Sequence, residues 1–294
     1  MHALFLSLAL LQASAAPAPK PLTPADVVAA APASDWRAIP AEDLLLVDLK
    51  GRGQVVIQLA PQFAPVHVAN IRAFARSDYW DGAAVYRVQD NYVAQWGIGK
   101  AEKPMPAGVV KLPPHEYWRS SKGLPIRPLG YRDSYAPAAG YARGWPVAHN
   151  PKTGRVNLTH CYGSVGVARD LAPDTGSGGE LYAIIGHAPR QLDRNIAVAG
   201  RVVEGIEHLS SLKRGTEALG FYKERSDDAP IERVRLASDL PAADQPRFEY
   251  LDPASASFAT YLRLRANRSD AFYKVPAGGV DLCNAPVPVR RKPA

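Results

Sequence analysis

Asp174-Thr175-Gly176-Ser177 is one stretch of this chain whose residue types could do chemistry, as an activated carboxylate. Acid-catalysed hydrolysis of that kind needs two carboxyl groups a few ångströms apart that share one proton. Asp-Thr-Gly occurs once in the 294 residues, and Arg169 to Pro173 ahead of it do not read as a strand. Asp174 therefore reads as part of a glycine-rich turn leading into the apolar run 181–186. No Gly-x-Ser-x-Gly elbow offers a serine nucleophile. The 7 histidines are scattered without metal-ligand spacing, so no metal and no cofactor is expected. Residues 85–88 and 92–95 read as short strands around Gln89-Asp90-Asn91.

The elements that would position these residues are mostly strands. Residues 44–59 are two apolar runs around Lys50-Gly51-Arg52-Gly53, the pattern of a hairpin. Pro65 suits the first turn of a helix on which Val68, Ile71, Phe74 and Ala75 share a face. Strand signals return at 163–168, 181–186, 196–205 and 231–237. A short amphipathic helix is expected from Ile206, closed by Gly215. Between about 98 and 160 regularity breaks down amid prolines and aromatics, which predicts an ordered insertion that packs its own rings. The reading is mainly β, a closed or nearly closed structure with helical caps, over 41–240.

Both ends differ in character. Ala3 to Leu11 is apolar but too short to span a bilayer, and Ala13-Ser14-Ala15 fits a cleavage pattern. Residues 1–15 are thus expected to be a secretory signal, and the protein to be periplasmic or secreted. Residues 16–40, rich in Ala and Pro, read as a linker or poorly ordered arm. Residues 241–294 read as a C-terminal extension in which Asp252-Pro253 starts a helix carrying Phe258, Tyr261, Leu262 and Arg265. Hydrophobic residues at 47% and charged residues at 21% support a packed core and speak against bulk disorder. The net charge of +7 comes with no nucleic-acid motif, so Arg263, Arg265, Arg268, Arg290, Arg291 and Lys292 read as a solvated basic face. Cys161 and Cys283 either pair in an oxidising compartment or stand as two buried thiols.

The ordered set of motifs YRVQDNYVAQWG, GSVGVARD, DTGSGGELYAIIG and LDRNIAVAGRVVEG resembles the cyclophilin family of peptidyl-prolyl isomerases over roughly 43–240. The resemblance implies an eight-stranded antiparallel barrel capped by two helices, with a groove on its outer face that takes proline-containing polypeptides. It implies Arg87 as the essential arginine and Gln95 as its support. Tyr92, Val93 and Tyr182 would line the proline pocket in place of the usual phenylalanine, methionine and phenylalanine, with Ala168 and Leu192 at its side.

Three positions depart from that pattern. Gln191 stands for the pocket tryptophan, and Ile196 for the pocket histidine, keeping apolar surface without a donor. Glu180 replaces a neutral glutamine and is expected to put a charge at the groove rim, with Arg87 and Arg169 as candidate partners. The function implied is isomerisation of Xaa-Pro bonds in exported proteins. A non-catalytic proline-peptide binder with the same fold is the alternative.

Overall fold

The computed structural model describes residues 21–99 and 101–293; the expected signal segment 1–15 lies outside them. The chain enters on α1 (Pro24–Ala30), where the expected linker should run. The Thr23 side chain accepts from the Asp26 N–H while the Asp26 carboxylate accepts from the Thr23 N–H, a reciprocal cap ahead of Pro24. A strand, β1 (Trp36–Ile39), follows. Residues 24–39 are thus an ordered part of the fold. The Ala/Pro composition concealed a capping box that outweighs it.

Next come β2 (Leu44–Leu49), β3 (Gly53–Leu59), α2 (Pro65–Ala75), β4 (Ala84–Val88) and β5 (Val93–Gly97). The predicted insertion carries β6 (Arg119–Ser120), β7 (Arg127–Pro128), β8 (Ala138–Ala142), β9 (Trp145–Asn150) and β10 (Arg155–Leu158). They form one antiparallel sheet in the order β6-β10-β9-β8-β7. Then come β11 (Ser164–Val167), β12 (Leu181–Ile184), β13 (Val198–Glu204), α3 (Ile206–Ser210) and β14 (Ala229–Leu236). Helix α3 ends before Gly215, whose N–H is drawn to the Val88 carbonyl instead of closing the helix.

Eight strands close into a barrel in the order β11-β12-β5-β4-β14-β2-β3-β13. Alternation decides which face each strand buries. On β5, Ala94 and Trp96 enter the barrel core, as do Leu181 and Ala183 on β12. Val68, Ile71 and Phe74 of α2 and Leu209 of α3 join that core and close it.

The C-terminal extension forms β15 (Phe248–Leu251), α4 (Ala256–Ala266) and β16 (Val289–Arg291). Ser255, not Asp252, caps α4, accepting from the Phe258 N–H. Asp252 is already engaged by the Ala254 N–H and by Arg37. Strands β1, β15 and β16 make a three-stranded sheet. Val27, Leu129, Tyr141, Phe258 and Leu282 form a second core, so both ends of the chain and the insertion pack as one unit. The basic tail is not a free patch: Arg290 pairs with Glu249 and lies over the Trp36 ring, and Arg291 pairs with Glu204.

The insertion is also pinned to the barrel. Glu116 accepts from the Val66 and His67 N–H groups at the otherwise uncapped start of α2, and from His67 Nδ1. Burial opposes ionisation of Glu116, but these donors outweigh it and hold its carboxyl below the usual range. The Asp-Thr-Gly loop fits between the two parts. Thr175 donates to the Pro113 carbonyl, Asn70 donates to the Ser177 carbonyl, and Asp174 accepts from the Asp170 and Gly176 N–H groups within its own turn.

Cys161 and Cys283 are bonded, tying the end of the insertion to the extension across 122 residues of sequence. Closing a loop of that length restricts the unfolded chain by about 5 kcal/mol in the chain-entropy account. Cys283→Ser is therefore expected to lower unfolding free energy by roughly 2–5 kcal/mol in a denaturant titration; an unchanged midpoint would show that the bridge carries no stability.

Candidate active site

Backbone register places the key residues in one row. Arg87 on β4 pairs with Gln95 on β5, Gln95 with Tyr182 on β12, and Tyr182 with Gly166 on β11. Residues paired in this way share a face, here the outer face of the barrel.

A β-bulge sets the arginine. Register shifts between Val85 and Arg87, so Tyr86 is the extra residue. A regular strand would send Tyr86 and Arg87 to opposite faces; the bulge lets both reach Gln95. Arg87 Nη1 donates to Gln95 Oε1 at 2.8 Å, and Gln95 Nε2 donates to the Tyr86 hydroxyl at 2.6 Å. Arg87 Nη2 donates to Gln89 Oε1 at 2.8 Å and Nε to the Leu219 carbonyl at 2.7 Å. The Phe221 ring lies 5.4 Å from the guanidinium carbon and stacks on Tyr86. Three of the five guanidinium N–H groups are thus held by protein, leaving one on each terminal nitrogen.

Beside this row is an apolar cluster of Val93, Tyr182 and Ile184, with Tyr92, Ala168 and Ile196 packed against it. Six of the expected site residues besides Gln95 are therefore brought together: Arg87, Tyr92, Val93, Ala168, Tyr182 and Ile196. Leu192 is half-buried in the turn Arg190–Leu192 and falls outside the cluster. Gln191 is exposed.

Glu180 corrects the expectation of a rim charge paired with Arg87 or Arg169. Its carboxylate turns away, accepting from the Tyr86 hydroxyl at 2.6 Å and from the Gly99 N–H at 3.1 Å. Burial pushes its pKa up to about 7. Arg169 donates to the Asn195 and Asp170 carbonyls instead. The local reason is space: Gly97 has no side chain, and the Glu180 carboxylate fills the volume a Cβ there would need.

Behind this apolar cluster lies a network that sequence reasoning missed. The Tyr182 hydroxyl lies 3.0 Å from His160 Nε2, and His160 Nδ1 lies 3.0 Å from Asp193 Oδ1. A carboxylate only accepts, so Nδ1 carries the proton; in the neutral ring Nε2 then accepts from the Tyr182 hydroxyl. Arg190 donates to Asp193 at 2.5 Å and to both oxygens of Asp133. His160, Asp133, Arg190 and Asp193 are all buried. His160 and Asp133 belong to the insertion, which thereby braces the Tyr182 side of the cluster from behind. Tyr117 and Trp118, also of the insertion, line a shallow crevice with Ile196 and Phe63. No local pattern marks His160; its partners lie 22 and 33 residues away in sequence. Leu219 and Phe221 stand in an irregular stretch with no periodicity to align them on Arg87.

Residues 44–238 match the model of the family described as cyclophilin type peptidyl-prolyl cis-trans isomerase/CLD. Proteins from Brucella suis biovar 1 and Brucella abortus, each described as a probable peptidyl-prolyl cis-trans isomerase, are 25% identical over 177 residues, 60% of this chain and 74% of theirs. The crystal structure of cyclophilin AquaCyp293 from Hirschia baltica superposes with a TM-score of 0.68 at 23% identity, covering 93% of this chain and 99% of that one. That likeness concerns the fold, and it extends over most of the chain, beyond the residues of the family match. Barrel, motif order and family match agree: the chain belongs to the cyclophilin-type peptidyl-prolyl cis-trans isomerases.

Proposed function

We propose that Arg87 is the electrostatic catalyst of Xaa-Pro isomerisation here, with Gln95 holding it and Tyr92, Val93, Ala168, Tyr182 and Ile196 receiving the proline ring. The observation that carries this reading is a guanidinium fixed on one side by Gln95, Gln89 and Leu219 with two N–H groups left over, beside an apolar cluster.

The chemistry needs little more. Amide resonance sets a barrier of roughly 18–20 kcal/mol, and no covalent bond has to break. At the twisted transition state the prolyl nitrogen loses conjugation and gains a localised lone pair. A fixed donor facing that lone pair stabilises the twisted amide more than either planar isomer, which is what acceleration requires. The guanidinium is already oriented, so little reorganisation accompanies the step. Burial lowers the Arg87 pKa from its usual value, yet an arginine stays cationic throughout the working range. Glu180, expected at the substrate, instead sits behind Tyr86 and takes no direct part in the pocket.

Export of the chain, to the periplasm or the medium, rests on the apolar run 3–11 with Ala13-Ser14-Ala15 and on the disulfide, a bond that persists in oxidising compartments. Its clients would then be exported polypeptides with accessible Xaa-Pro bonds. Cell fractionation tests this: recovery outside the cytoplasm without the first fifteen residues is expected, and a cytoplasmic protein with an intact N-terminus would refute it.

Arg87→Ala is expected to lower kcat/KM for Xaa-Pro peptides by roughly 10²–10³-fold, the usual effect of removing one transition-state donor. Full activity in that variant, or proline-peptide binding by wild type without acceleration, would overturn the reading. Tyr182→Phe restores the residue usual at this position in the resembling family but leaves buried His160 Nε2 unpartnered. It is expected to destabilise the fold by about 1–3 kcal/mol in denaturant unfolding; a neutral or stabilising result would show that the His160 contact does not hold the pocket floor.

A further inference from the structure

A hydrogen-bonded chain that begins at Arg87 ends on Glu180. Arg87 donates to Gln95 Oε1, Gln95 Nε2 donates to the Tyr86 hydroxyl, and that hydroxyl donates to Glu180 Oε2. The other carboxylate oxygen accepts from the Gly99 N–H. The direction of this chain follows from donor and acceptor chemistry. An ionised carboxylate only accepts, so Tyr86 must direct its one proton to Glu180. The tyrosine oxygen is then left to accept from Gln95, which turns the amide NH₂ toward Tyr86 and the amide carbonyl toward Arg87. A guanidinium only donates and requires that carbonyl. Were Tyr86 to donate to Gln95 instead, the amide would flip and face Arg87 donor against donor.

We propose that Glu180 is a positioning residue whose ionised carboxylate sets the direction of the Glu180–Tyr86–Gln95 chain and so keeps the Gln95 carbonyl on Arg87. This rests on the reading of Arg87 as the electrostatic catalyst. Gly97 belongs to the same device, since any Cβ there would displace the carboxylate.

Titration gives the device a readout. Burial brings the pKa of Glu180 to about 7, so its charge changes near neutrality. The groups facing it are Tyr86 from β4, Tyr79 from the turn after α2 and, one amide beyond, Arg87. Burial, helped by the Glu180 charge, raises both tyrosines, so they stay neutral in this range. As pH falls through about 7, Glu180 gains a proton and can donate to Tyr86 as well as accept from it, so Arg87 alone still sets the direction of the chain and the Gln95 carbonyl is held on it less firmly. Stability runs the other way. The folded-state pKa is raised above the ordinary 4.5, so this group's contribution to stability is complete below that value and is lost as pH rises through about 7.

The test is kcat and KM of the full chain from about pH 5.5 to 8.5, by exchange NMR on an Xaa-Pro peptide without titratable side chains. Wild type is expected to gain roughly three- to tenfold in kcat/KM, carried by kcat, as pH rises through 7. Glu180→Gln should give a flat profile at the acid-limb rate, with a Tm near pH 8 no lower than wild type because a buried charge is gone. Tyr86→Phe should be flat as well. His160, behind Tyr182, is untouched in both variants, so loss of the step assigns it to the Glu180 chain. A Glu180→Gln protein that keeps the wild-type step and alkaline rate overturns the proposal. If Arg87→Ala is inactive in the same assay, only the positioning role has failed; if Arg87→Ala is fully active, the underlying reading of Arg87 has failed.

Discussion

The contact between Arg87 and Gln95 depends on one irregularity, the bulge at Tyr86 on β4. An unbulged strand would turn either the tyrosine or the arginine into the barrel, where a guanidinium would face the desolvation penalty of a buried charge. With the bulge, Gln95 lies between both outward side chains, and each of its amide atoms has a partner. The stretch that follows α3 packs against this strand edge: Gly215 donates to the Val88 carbonyl, Tyr222 donates to the Tyr86 carbonyl, and Leu219 accepts from Arg87. Arg87 is thus held by β5, by Gln89 in the turn after β4 and by the stretch after α3, so as the proposed catalytic donor it has little motion left to freeze when a substrate arrives.

The insertion and the extension serve the same end from the other side. Their sheet and helices form cores distinct from the barrel core, yet His160 and Asp133 reach back beneath Tyr182. Asp193 accepts from both His160 and Arg190, and Arg190 pairs with Asp133, so every buried charge in this cluster has an opposite neighbour. The Cys161–Cys283 bond adjoins His160 in sequence and anchors this brace to the C-terminal extension. The Tyr182 hydroxyl is tolerable within an apolar cluster because it finds a partner contributed by the insertion.

Much of this was legible in the sequence. Alternating apolar residues marked the barrel strands, and the ordered motifs placed Arg87, Gln95, Tyr92, Val93, Ala168, Tyr182 and Ile196 around one groove. What stayed hidden depended on register or on distant partners. A spacing of eight between Arg87 and Gln95 does not announce a bulge, so nothing in the sequence marks Tyr86 as a neighbour of Gln95. Glu180 reads as a rim charge because the resemblance sets it where the family carries a neutral glutamine; its actual place depends on the missing Cβ of Gly97 across the sheet. Residues 24–39 looked like a linker by composition, although Thr23 and Asp26 already had the spacing of a reciprocal cap. Leu192 belongs to the expected site only through the resemblance, and the turn Arg190–Leu192 leaves it outside the cluster.

The central claim is that Arg87 and Gln95 act as one unit. A double-mutant cycle on kcat/KM with Arg87→Ala and Gln95→Ala tests it most directly. The account predicts strong non-additivity, with the double variant little worse than Arg87→Ala alone, because Gln95 works through the arginine. Additive losses would mean that Gln95 meets the substrate independently, and would contradict it.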